Sequence, residues 1–84
     1  MKSLASARFW EFYKSLPSEI RALADKNFHL WQANPRHPSL RFKPIHDDLW
    51  SVRIGAHYRA IGKFRDGESF IWLWIGTHER YDKF

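Results

Sequence analysis

Six consecutive apolar residues, Phe70 to Ile75 in "FIWLWIG", lie near the end of this 84-residue chain. Strand alternation puts Phe70, Trp72 and Trp74 on one face and Ile71, Leu73 and Ile75 on the other. A strand that is apolar on both faces needs cover on both, and such strands are usually central in a sheet. The run ends at Gly76 and hands over to His78, Glu79, Arg80, Tyr81, Asp82 and Lys83, the densest ionisable cluster of the chain. A fraying terminus is the plain reading of that handover. A reactive cluster set on a rigid strand end is the sharper one.

Upstream, the hydrophobic period changes once. From Ser6 to Ser15, Phe9, Phe12, Tyr13 and Leu16 follow i, i+3, i+4, i+7, the spacing of an amphipathic helix. Pro17 interrupts it, because a proline inside a helix loses a hydrogen bond and clashes with the preceding turn. A second helix opens at Pro17 or Ser18, with Glu19 suited to its first turn. Ile20, Leu23, Ala24, Phe28 and Trp31 form its apolar stripe, and "ANPRHPS" ends it. So short a joint predicts an antiparallel or steeply crossed pair.

Beyond the prolines the period is two. "LRFKPI" alternates Leu40 and Phe42 with Arg41 and Lys43; "HDD" reads as a turn. "LWSVRIG" sets Trp50, Val52 and Ile54 against Leu49, Ser51 and Arg53. A corner at Gly55-Ala56 leads into "HYRAIGKF", where Tyr58, Ala60, Gly62 and Phe64 alternate with Arg59, Ile61 and Lys63. Asp66-Gly67 is a hairpin signal, since both residues tolerate positive φ. These readings predict one α+β domain over residues 1–84, a helical hairpin on one face of an antiparallel sheet of about four strands. Arg53, Arg59 and Lys63 fall together on the face away from the helices, a basic platform suited to phosphate. In a simple meander the last strand is an edge, a hazard unless covered. "MKSLA" is too short and polar for a convincing covering strand, so a partner or a homodimer is expected at that edge.

The chain has no cysteine, which removes disulfide and thiolate chemistry. No stretch approaches a membrane span or a signal-peptide core, so the expectation is a cytoplasmic protein without a membrane partner. Five Trp and seven Phe supply a core heavy in rings, each burying roughly 150–250 Å². The formal charge of +5 favours an anionic partner. The excess is concentrated: Arg36, Arg41, Lys43, Arg53, Arg59 and Lys63 face only Asp47 and Asp48 across that stretch. No metal-ligand spacing, Walker loop, dinucleotide fingerprint or nucleophile elbow is present, and no metal or other cofactor is expected.

The order of a helical hairpin, "RIGAHYRAIGKF", an Asp-Gly turn, "FIWLWIG" and the tail "THERYDKF" resembles the RelE/ParE superfamily of toxins from bacterial type II toxin–antitoxin systems. The resemblance covers nearly the whole chain. Its most specific parts are "YRAI" at Tyr58–Ile61 and the "WIGTHERYDKF" ending, and "RHPSLRFKPI" is similar to the family's entry to the sheet. Family members usually open with a strand before the helices, whereas this chain starts almost at the first helix.

The resemblance implies a toxin neutralised by a cognate antitoxin. It also implies either a ribosome-dependent mRNA endoribonuclease of RelE type, or a ParE-like gyrase poison without nuclease residues; an inactive member that only binds a partner protein is the third reading. By position, Arg59 matches the arginine that contacts the scissile phosphate, and His78 the basic residue that works on the leaving group. Tyr81 and Phe84 match tail aromatics that stack on a base or move a proton, Phe84 standing where ribonuclease members often have tyrosine. Lys43, Arg53 and His57 match a looser basic set, and Lys63 and Arg80 extend it. Metal-free RNA cleavage needs a proton taken from the 2′-hydroxyl, a proton given to the 5′ oxygen and positive charge on the phosphorane. His78 as acid, Arg59 and Arg53 on the phosphate, and His57 or Tyr81 as base meet that list. Arg59 equally suits a structural ion pair with Asp47 or Glu79.

Overall fold

The computed structural model describes residues 2–81, Tyr81 by its backbone alone. The elements are β1 (Lys2–Ala5), α1 (Ala7–Lys14), α2 (Ser18–Ala33), β2 (Lys43–Pro44), β3 (Leu49–Ile54), β4 (Tyr58–Phe64), β5 (Ser69–Thr77) and α3 (His78–Tyr81). A 3₁₀ turn at Pro38–Leu40 precedes β2.

The strands form one mixed sheet in the order β1-β5-β4-β3-β2, with β1 parallel to β5 and the other pairs antiparallel. β5 is therefore internal, as its two apolar faces require. The expectation of a bare last edge is overturned. "KSLA" is a strand after all, pairing Lys2 with Ser69 through Ala5 with Trp72. The physical reason is that backbone pairing with β5 holds so short a strand, with Ala5 packed against the core and Leu4 half-buried. Lys2 N–H donates to Glu68 O at 2.9 Å and Ser6 N–H to Trp72 O at 3.0 Å, closing the ladder at both ends. A short, lysine-bearing edge is also a way of discouraging further strand addition. The opposite edge is blunter still, since β2 is only Lys43-Pro44. The expected longer strand "LRFKPI" is thereby corrected: Leu40 lies in the 3₁₀ turn, and Arg41 caps it in the left-handed region at φ 47°.

Both helices lie where their stripes predicted. Ser6 caps α1 by accepting the Phe9 N–H at 3.1 Å, which meets one of the four donors a helix start leaves unpaired. Arg21, in α2, donates to Lys14 O and Leu16 O at 3.2 Å each, tying the end of the first helix to the start of the second. Tyr13 Oη donates to Asp25 Oδ1 at 2.8 Å and makes a second link. Otherwise α1 packs chiefly on β5, and α2 on β3.

The core between helices and sheet contains Phe9, Ala24, Trp31, Val52, Ile54, Ala60, Phe70, Trp72 and Ile75. Trp31 is its hub, 1% exposed, with the rings of Phe70 and Trp72 at 5.2 and 5.1 Å. The small residues beneath are not incidental: a Cβ on Gly62 would collide with the Phe70 ring and the Ile71 carbonyl oxygen.

One face assignment is corrected. Ile61 pairs with Trp74 but Gly62 with Trp72, so Leu73 is a bulge residue in β5. The extra residue reverses the alternation beyond it. Trp74 consequently shares the face of Ile61, where it is buried with its ring 6.3 Å from that of Phe12 in α1, while Ile75 joins Ala60 in the core between helices and sheet.

Candidate functional site

The sheet face away from the helices is defined by the register. One row runs Arg53–Arg59–Gly76, the next Lys43–Ser51–Ile61–Trp74, and a third Leu49–Lys63–Ile71–Leu4. The prediction that Arg53, Arg59 and Lys63 share this face holds, and Lys43 joins them. None of the five strands contains Asp or Glu.

Arg53 and Arg59 are direct cross-strand partners. Like charges placed opposite one another oppose pairing, and an anion beside the two would offset that cost. Each guanidinium is held by a backbone carbonyl. Arg53 Nε donates to Gly55 O at 3.0 Å and Arg59 Nη1 to Tyr58 O at 2.8 Å. Asn27 of α2 holds the backbone beneath, its amide donating to Arg53 O at 3.0 Å. A guanidinium has five N–H donors in a planar fork, and these contacts orient the two groups on their strands. Gly55 makes the turn that allows this, at φ 63° and with Leu23 so close that a side chain at the glycine would meet it.

The β4–β5 ladder continues one step past its strands. His78 N–H donates to His57 O at 2.6 Å, which joins the two histidines at the backbone beyond the Arg59–Gly76 pair. Both are exposed, His57 in the turn that leads into β4. His78 opens α3, where Thr77 Oγ1 accepts the Arg80 N–H at 3.4 Å. Arg59, Arg53, His57 and His78 thus gather at one end of the sheet. Lys63 lies four residues along β4 from Arg59, roughly 13 Å at ~3.3 Å per residue, and belongs to an extended surface rather than to this cluster.

Arg80 is exposed on α3. Tyr81 ends α3, but its side chain, and Phe84 altogether, lie outside the described residues. No group of three or more His, Cys, Asp or Glu side chains suited to a metal occurs among the described residues. Displaced ionisations occur on the other side of the molecule and at a hairpin. Tyr13 is raised by its hydrogen bond to Asp25, and Asp66 is lowered because it accepts the Glu68 N–H.

Sequence reasoning missed Trp74. Its indole lies over Gly76, where a Cβ would strike the ring, and Gly76 is the cross-strand partner of Arg59. An aromatic ring therefore borders the arginine pair. The alternation had placed Trp74 with Trp72, and only the bulge moves it. Ser51 was passed over too; it is 1% exposed between the positions of Leu49 and Arg53 on the same face.

A mixed sheet whose strands carry no Asp or Glu, backed by two helices on one face and with two histidines at one end, defines a small two-layer α+β protein. A ParE-like toxin domain matches residues 18–83, and the chain belongs to that family. The likeness to RelE/ParE toxins is thereby borne out. Solved structures agree on the fold. YafQ from E. coli strain BL21(DE3) superposes with a TM-score of 0.77 at 13% identity, over 95% of this chain and 96% of that one. RelE in the RelB-RelE antitoxin-toxin complex from Methanococcus jannaschii gives 0.75 at 21% identity, over 96% and 98%. A YoeB/ParE toxin from Agrobacterium tumefaciens gives 0.71 at 18%, over 93% and 99%. No curated protein matches the sequence.

Proposed function

We propose that this chain is the toxin of a toxin–antitoxin system and acts as a metal-independent endoribonuclease on mRNA in the ribosome, inhibiting translation in the cytoplasm. The observation that supports the reading is the in-register Arg53–Arg59 pair on strands that contain no Asp or Glu, with His57 and His78 joined at their end. Two guanidiniums fixed on adjacent rigid strands suit the two non-bridging oxygens of one phosphate. Histidine suits proton transfer near neutral pH.

In this scheme a base, His57 or Tyr81, takes the proton of the 2′-hydroxyl. The 2′ oxygen attacks phosphorus in line, a P–O bond forms, and the bond to the 5′ oxygen breaks. His78 gives that oxygen a proton, leaving a 2′,3′-cyclic phosphate and a 5′-hydroxyl. Arg59, assisted by Arg53, stabilises the charge on the phosphorane. Lys43, Lys63 and Arg80 track the RNA backbone, and Tyr81 or Phe84 stacks on a base. The ribosome supplies the remaining alignment.

The partner that neutralises it is a cognate antitoxin. Structures of similar fold include RelB-RelE antitoxin-toxin complexes from M. jannaschii, E. coli and Pyrococcus horikoshii OT3. A homodimer through the last strand has lost its motive, because β1 occupies that edge. The second reading, a gyrase poison, is favoured by the ParE-like description of the family and predicts indifference to His78.

The test is induced expression followed by mapping of message 5′ ends for the wild type, Arg59→Ala and His78→Ala. Codon-phased cuts that both variants reduce by about 10²-fold or more are the expected result. Growth arrest without cuts, retained in His78→Ala, would establish the gyrase reading instead.

A further inference from the structure

Past Ala5 the chain leaves the sheet, and α1 packs beside the remaining length of β5. Between α1, the bulge at Leu73 and α3 lies an open groove of about 770 Å³. Its lining includes Arg8 and Phe12 of α1, Leu73 and Trp74 of β5 and Arg80 of α3, and no Asp or Glu among the described residues. Sites of roughly 300–1,000 Å³ are of the size that takes an organic ligand rather than a single ion. The Arg8 guanidinium carbon lies 5.8 Å from the centroid of the Phe12 ring, a cation–π contact that steadies a long exposed side chain. The Phe12 and Trp74 rings are 6.3 Å apart. Trp74 is 7% exposed, whereas Phe12 and Leu73 are half-buried and offer more of their surface. Neither arginine is in an ion pair among the described residues. Two cations beside an apolar, partly aromatic lining suit an occupant with a negative charge and a flat body.

We infer that this groove holds the nucleotide that follows the cut in the message, with its 3′ phosphate between Arg8 and Arg80 and its base against Phe12 and Leu73. The inference rests on the ribonuclease reading and extends it to a second contact with the substrate. In that reading His78 protonates the leaving 5′ oxygen, so the downstream strand departs from the arginine pair on the His78 side. Arg80 follows His78 by two residues on α3. The Trp74 indole lies over Gly76, the cross-strand partner of Arg59, so the groove and the arginine pair share a border. Trp74 to Gly76 is two residues of strand, roughly 7 Å, a step of about one nucleotide. This continuity favours RNA over an acidic peptide, the other anion that two arginines could take. The phosphate held here is additional to those met by the cations of β2 to β4, and only an RNA that runs on past Arg59 reaches it. Arg8 is thereby a substrate-binding residue, and α1 contributes to the site through it.

The test titrates an oligouridylate of about eight nucleotides into ¹⁵N-labelled full-length His78→Ala protein, which removes the proposed acid, with the Trp74 indole signal assigned by Trp74→Phe. The inference expects a saturable shift of that signal. Adding Arg8→Gln should weaken binding about tenfold, the loss of one hydrogen bond to a charged group. Lys14→Gln, which removes a cation of α1 that does not line the groove, should change it less than twofold. Both side chains are exposed, so both variants should keep the parent spectrum. On ribosomes, Arg8→Gln alone should lower message cleavage about tenfold at unchanged positions. Binding that falls with Arg53→Ala and Arg59→Ala but not with Arg8→Gln overturns the groove assignment and leaves the ribonuclease reading standing. A Trp74 signal unmoved at saturation, equal losses in Arg8→Gln and Lys14→Gln, or no saturable binding also overturns it. So does movement of the Trp74 signal with octaglutamate and not with RNA, which would make the groove a seat for an acidic protein segment. Messages left uncut in the 5′-end mapping overturn the ribonuclease reading itself, and this inference with it.

Discussion

Arg53 is where stability and function pull apart. It pairs with Arg59 across the β3–β4 ladder, a like-charge pairing unfavourable by roughly 0.2–1 kcal/mol. Against this stands the hydrogen bond from Nε to Gly55 O, which contributes about 0.5–1.5 kcal/mol. The two nearly cancel. Arg53→Gln should therefore move the unfolding free energy by less than about 1 kcal/mol while message cleavage falls at least tenfold. Urea titration and cleavage assays on one preparation check both halves, and a large stability loss would return Arg53 to a structural role. Gly62 has the opposite character. It sits under the Phe70 ring and against the Ile71 carbonyl, and a backbone carbonyl cannot rotate away as a side chain can. Gly62→Ala is expected to cost about 1–3 kcal/mol by overpacking, read as a lower urea midpoint with an unchanged slope. An unaffected midpoint would mean that β4 and β5 can separate slightly at no cost.

Among the elements, β1 has the largest consequence for its length. Its four residues cover the edge of β5 from Ser69 to Trp72, and its loss would expose the most apolar strand of the molecule. Deletion of residues 1–5 is expected to turn a monodisperse protein into one that aggregates by light scattering. A soluble, fully folded deletion variant would show that α1 alone protects that edge. This element also marks the limit of sequence reading. The helices were legible because period and caps agree: Ser6 precedes the apolar stripe of α1, and prolines bracket α2. β3 and β4 were legible because strict alternation leaves only one choice of buried face, which set Arg53, Arg59 and Lys63 together. β1 was not, since a parallel edge strand borrows its apolar cover from a neighbour about 67 residues away in sequence. "KSLA" therefore carries no pattern of its own. Nor was the bulge at Leu73, because an apolar run reads the same in either phase. Trp74 was misplaced for that reason and the aromatic border of the site went unseen. His78 beside His57 was half legible: the polar handover after Gly76 is plain, but the backbone bond that joins the two is not.

At the scale of the whole molecule, the division of the two sheet faces decides how RNA would be held. Most apolar packing is asked of the helical side, Ile61 and Trp74 being buried exceptions, while the cations of β2, β3 and β4 collect on the other, with no carboxylate in any strand. Such a face binds a polyanion by displacing its counterions, and the salt dependence of binding then counts the contacts. For single-stranded nucleic acid the slope of log K against log salt is about −0.7 per phosphate neutralised. If the Arg53–Arg59 pair holds one phosphate and Lys43 and Lys63 take one each, the slope for a short labelled RNA should be about −2. Binding is best followed by fluorescence anisotropy on His78→Ala, which keeps the charge surface while removing the proposed acid. Alanine variants of Lys43 and of Lys63 should each reduce the slope by about 0.7, and the Arg53/Arg59 double variant should bring it to about −1.4. The extended placement of Lys63 makes its contribution the sharpest part of this expectation. Two nucleotides of backbone span roughly the distance from the arginine pair to Lys63, so its loss should lower the slope without altering where the message is cut. A slope near −1, indifferent to Lys43 and Lys63, would confine RNA to the arginine pair and leave the remaining cations for an acidic protein partner.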